Sequence, residues 1–93
     1  MDLFSFFEEE ITRNYDENAS LIVKMEEQEE ELSDRMLSLF SHVLNEHHIW
    51  NARLKNCPSE SEEWDRLPLS YFESLNKENC HQTKQLIEES GNL

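Results

Sequence analysis

An all-α fold is what this sequence predicts, on three observations. Apolar residues recur three and four apart along most of the chain. A single glycine among 93 residues, with 31% of them charged, is the wrong composition for a turn-rich β-protein. Capping residues, Asp2, Ser33 and Ser70, stand ahead of each apolar-periodic run.

Helix one is expected over about 3–28, with Phe4, Phe7, Ile11, Tyr15, Leu21, Ile22 and Met25 on one face and Asn18 interrupting it. Asp2 is its N-cap, and Glu8, Glu9 and Glu10 lie near its positive end, where carboxylates are favoured. The stretch Glu26-Glu27-Gln28-Glu29-Glu30-Glu31 holds no apolar residue, and its like charges repel at i,i+3 and i,i+4. A turn before Ser33 follows from that repulsion. One unbroken helix through residue 55 is the alternative, since neither glycine nor proline occurs between Met1 and Cys57.

Helix two, about 34–55, takes Ser33 as its N-cap and carries a main seam of Met36, Phe40, Val43, His47, Trp50 and Leu54, flanked by Leu37 and Leu44. A second stripe, Leu39, His42, Glu46, Ile49 and Arg53, lies roughly 120° around the helix. Two stripes imply packing on two sides, as in a bundle. A proline-containing loop over 56–69 follows, in which Trp64 closes one end of the core or lines the mouth of a pocket. Helix three, about 71–89, opens on a Ser70-x-x-Glu73 capping box, turns Phe72, Leu75, Asn79, Thr83, Leu86 and Ile87 inward, and ends with Gly91 as its C′ residue. The whole chain, 1–93, is then a single helical domain.

Charge narrows the function. Eight basic against 21 acidic residues leave a net charge of −13, which repels phosphate backbones and anionic lipid. No nucleic acid and no membrane are expected as partners, and no apolar run reaches the roughly 20 residues of a bilayer span. A basic protein engaging Glu26–Glu31 is a candidate partner. Cys57 and Cys80 lack CxxC spacing and no secretory leader precedes them, so a reduced, cytoplasmic setting is expected.

Histidine supplies the candidate site chemistry. His42, His47 and His48 lie close in sequence, and imidazole is the commonest side-chain ligand for transition metals. His42 and His47 are five apart, however, whereas ligands sharing a helix face need i,i+3 or i,i+4 spacing. Cys80 and His81 are adjacent and diverge on a helix, and Cys57 has no activator in its loop. No phosphate loop, nucleophile elbow or acid–base carboxylate pair is present in the sequence.

Residues 39–54, LFSHVLNEHHIWNARL, resemble the second helix of the DinB-like family. The aromatic first helix, Trp64-Asp65-Arg66-Leu67 as a loop tryptophan and Leu75-Asn76-Lys77-Glu78-Asn79 as a third helix extend the resemblance over 3–89. It implies an up-and-down four-helix bundle that binds a divalent metal through three histidines, some members being thiol-dependent transferases or isomerases. In that pattern His42 matches the first metal ligand, and His47 matches a second frequent histidine, read here as part of the core seam. The remaining ligands form an HxxxH pair on a fourth helix, and this sequence has no such segment.

The resemblance therefore implies a DinB-like bundle of three helices with an incomplete metal site, non-catalytic as this chain. No cofactor is expected for the chain alone; zinc or nickel would need ligands shared between chains. A chain of this size buries only about 60% of its unfolded surface, and three helices lacking their fourth expose an apolar stripe, so a homodimer completing the core is expected. The alternatives are a fragment of a metal-dependent DinB-like enzyme and an acidic helical interaction module.

Overall fold

The computed structural model describes residues 2–59 and 62–91. Its elements are α1 (Leu3–Glu27), a 3₁₀ turn (Glu29–Glu31), α2 (Asp34–Leu54), a second 3₁₀ turn (Leu69–Tyr71) and α3 (Phe72–Gly91). Among the described residues there is no strand, and no helix is long and apolar enough to cross a membrane. Residues 60 and 61 of the expected 56–69 loop lie outside the described part.

Local chemistry sets the helix starts. The Asp2 carboxylate accepts the Ser5 N–H at 2.7 Å, and the Ser33 hydroxyl accepts the Met36 N–H at 3.1 Å. Between them the glutamate run breaks the helix as its charge repulsion predicts, leaving a 3₁₀ turn in place of one long helix. The Ser70–Glu73 capping box does not form, because the turn over Leu69–Tyr71, closed by the Tyr71 N–H on Pro68 O at 2.9 Å, runs straight into α3. Gly91 is the last residue of α3, not the residue beyond it.

The end of α2 decides the topology. Asn56 adopts a left-handed φ of 58° beyond the helix, with Asn56 N–H on Arg53 O at 3.0 Å and Cys57 N–H on Ala52 O at 2.9 Å. That pair of bonds is a Schellman cap, and asparagine is the side-chain-bearing residue that best tolerates its backbone. The chain then turns back along α2. Ser41 Oγ accepts the Leu67 N–H at 3.1 Å, Asn45 Nδ2 donates to Asp65 O at 2.8 Å, and Arg66 reaches Asp34 at 3.0 Å.

The loop thereby returns to the start of α2 before α3 begins, so α3 runs parallel to α2. Phe40 faces Phe72 and Asn51 bonds Thr83, a constant register along both helices. α1 runs the other way, with Asn18 and the Tyr15 carbonyl bonded to Asn76. The expected up-and-down order is thus corrected to up-down-down, because the second connection is a return crossover and not a short turn. α3 is central, with α1 and α2 packed on it.

The core joins Ile22 and Met25 of α1, Phe40 and Leu44 of α2 and Phe72 of α3. On α3 the expected face is found, widened by buried Asn76 and Cys80. On α2 the expected seam is found only at buried Phe40 and half-buried His47. Met36 (49% exposed), Val43 (51%), Trp50 (54%) and Leu54 (68%) face outward, and Phe40, Ser41, Leu44, Asn45, Asn51 and Ala52 are buried.

The helix is turned by roughly 100°, one residue step, from the seam that apolarity alone selects. Ser41, Asn45 and Asn51 go inside because each makes a hydrogen bond there, although the buried Asn45 Oδ1 has no partner among the described residues. The consequence is a chain only 16 Å across its thinnest dimension, with an apolar stripe of α2 left uncovered.

Candidate functional site

His42 sits on the side of α2 that the returning loop covers. The Asp65 N–H bonds Glu62 O at 3.2 Å and the Asp65 carboxylate accepts the Glu62 N–H at 3.0 Å, which closes a tight turn with Glu63 and Trp64 at its tip. Asn45 and Ser41 then hold the following residues against α2. The tip lands on His42: the Trp64 ring stacks on the imidazole with centroids 3.9 Å apart and planes at 13°, and Nδ1 lies 3.0 Å from Glu63 O. A carbonyl only accepts, so Nδ1 carries the proton of that bond and the neutral ring keeps its lone pair on Nε2.

Two carboxylates join this imidazole. Glu46 stands one helical turn beyond His42 on the same face, and Glu63 comes from the loop tip. The ligand atoms that His42, Glu46 and Glu63 offer all lie within 4.8 Å of one another. Among the described residues no cation pairs with either carboxylate. Glu46 was legible in the sequence as the i+4 neighbour of His42, whereas Glu63 is 21 residues away and reaches the site only because the loop folds back. Trp64 does not close the core; it is 63% exposed and covers one face of His42.

His47 is on another side of α2 and does not join His42. Its Nε2 lies 2.7 Å from Thr83 Oγ1, whose own hydroxyl is 2.8 Å from Asn51 Oδ1. Asn51 Nδ2 donates to Asn79 O at 3.1 Å, and Asn79 Nδ2 to Leu44 O at 3.0 Å. The direction of this chain makes Nε2 the donor to Thr83. His47 therefore serves as a packed polar link between α2 and α3, and it belongs to no group of three metal-ligating side chains among the described residues.

Burial, and secondarily the neighbouring His48, pushes the His47 pKa below its ordinary value of 6.5. A lowered folded pKa means that the unfolded chain binds the extra proton more readily. The stability tied to neutral His47 is thus fully present above about pH 6.5 and is lost as pH falls through the lowered folded value. Urea unfolding between about pH 7 and 5 is expected to show a falling midpoint, and His47→Gln, which keeps a donor for Thr83, is expected to flatten that fall. An unchanged slope would remove His47 as its source.

Elsewhere the chemistry is thin. His48 is half-buried and His81 is exposed on α3, pointing away from buried Cys80. Burial pushes the Cys80 thiol up, the opposite of an activated thiolate. Cys57 is exposed and unpaired. The glutamates of 26–31 are all exposed at the α1–α2 junction.

Fold and site together define a small all-helical protein with a parallel α2–α3 pair and a loop-clasped imidazole–carboxylate cluster. Comparison with protein-family models, curated proteins and solved structures finds no match to this chain.

Proposed function

We propose that this chain is a non-catalytic helical association module whose uncovered apolar face is covered by a second copy in a twofold homodimer. The observation that carries this reading is the α2 stripe. Met36, Val43, Trp50 and Leu54 stand about half exposed or more on one side of the helix. Leu54 continues the stripe into a groove of about 360 Å³ that it shares with Leu3, Phe4 and Phe7 of α1 and Leu86 and Ile87 of α3.

Charge supports self-pairing across this face. Of the 21 acidic residues, 11 lie in residues 2–31, while α2 carries only Asp34 and Glu46, against Arg35 and Arg53. An apolar stripe on a nearly neutral helix approaches its own copy with little repulsion, even though the whole chain is at −13. A twofold contact uses one patch twice, so a single stripe suffices.

In the same reading, the likeness of residues 39–54 to the DinB-like second helix is one of descent, with His42 retained. Two unbridged cysteines agree with a reducing, cytoplasmic setting. Size-exclusion chromatography with light scattering tests the proposal. The expected mass is twice the 11.2 kDa of one chain, and a single-chain mass at every concentration would overturn it.

A further inference from the structure

We propose that His42, Glu46 and Glu63 form a divalent transition-metal site that pins the crossover loop to α2, using ligands of this chain alone. It is independent of the dimer reading, because all three residues come from one chain and from the loop side of α2. A lone imidazole was all that sequence resemblance supplied at this point. The fold adds two carboxylates whose ligand atoms come within 4.8 Å of each other and of the imidazole.

Three features favour a metal over a solvated cluster. The imidazole is already oriented: Nδ1–H is held by Glu63 O at 3.0 Å, which leaves Nε2 as the nitrogen free to ligate, and metal-bound histidines commonly fix their second nitrogen in this way. Its ring plane is set by Trp64 stacked at 3.9 Å, so little freedom is lost on binding. Two like charges are held close together with no cation paired to either among the described residues, and a bound dication would neutralise both.

The donor set indicates the class of ion. One nitrogen and two carboxylates suit a borderline first-row ion such as zinc better than magnesium, which prefers oxygen ligands alone. Three protein ligands would leave further positions to water. The site is anchored on one side by a helix and on the other by a loop, so occupancy would stiffen the crossover. Its effect is structural, and no catalysis is assigned to it.

Zinc titration of the untagged protein in a Trp50→Phe background tests this, with Trp64 as the only remaining tryptophan reporting on the ring stacked against His42. The expected result is a saturable change in Trp64 emission at one equivalent of zinc, with none at the same concentration of magnesium. Calorimetry on the Trp64-containing chain should give the same stoichiometry. His42→Ala and Glu63→Gln should each weaken binding at least as much as the roughly 10- to 100-fold seen when outer-shell partners are removed. Glu63 is exposed in a loop, so its substitution leaves the helices intact by circular dichroism and keeps the test decisive if His42→Ala disturbs the fold. The absence of saturable binding, an equal response to magnesium, or saturation that survives both substitutions would overturn the proposal.

Discussion

Phe72→Ala is expected to remove a large part of the chain's stability. The ring is fully buried at the first turn of α3, where it meets Phe40 at a centroid distance of 5.0 Å and shares a cluster with Ile22, Met25 and Leu44. Truncating a buried phenylalanine costs about 3–5 kcal/mol, since the lost transfer energy is joined by the cost of the cavity left behind. A folded domain of this size has roughly 5–14 kcal/mol in all.

The cavity would be poorly filled, because its walls come from three helices already held by bonds elsewhere: Asn76 to α1, and Asn51 and Thr83 between α2 and α3. Urea unfolding measured by circular dichroism should show a midpoint cut by roughly a fifth or more, with the slope unchanged unless the denatured state alters. A loss below about 1 kcal/mol would mean that the three helices do not converge on this ring.

Phe72 was legible as a core residue, and so were the starts of α1 and α2, because caps and charge repulsion act over a few residues and are written locally. Asp2 and Ser33 cap as read, and the glutamate run ends α1. The orientation of α2 was not legible. Periodicity places apolar residues inside and polar ones outside, but Ser41, Asn45 and Asn51 are buried because each bonds a group that only the folded chain supplies: Leu67 N–H, Asp65 O and Asn79 O. Their partners are 26, 20 and 28 residues away, beyond any local pattern.

The same distance limits what could be read of the site. His42 and Glu46 sit on one face at i,i+4, a spacing visible in the sequence, yet Glu63 and Trp64 depend on the reversal that begins at Asn56. That reversal also decides the parallel run of α3. The left-handed Asn56 thus stands at the start of the reversal on which both the topology and the third member of the cluster depend.

The rotation of α2 has an opposite side, and it yields the second large effect. Val43→Glu combined with Leu54→Glu is expected to convert the proposed dimer into a monomer. Both positions are more than half exposed within one chain, so the substitutions remove little internal packing and should change the monomer's own stability by only about 0.5 kcal/mol each. In a twofold interface each carboxylate occurs twice, against an apolar surface that offers no hydrogen bond, and burying even one unpaired charge costs several kcal/mol.

The dissociation constant should rise on the order of a thousandfold or more, far outside the range of the parent chain's dimer. Light scattering should then give the 11.2 kDa of one chain, while circular dichroism retains the helical signal. Gln28→Glu, which adds charge within the acidic turn and away from the stripe, should leave the mass at two chains and so separates placement from net charge. If both variants remained dimeric, the covered face would have to lie elsewhere, and the outward turn of Met36, Val43, Trp50 and Leu54 would need another explanation.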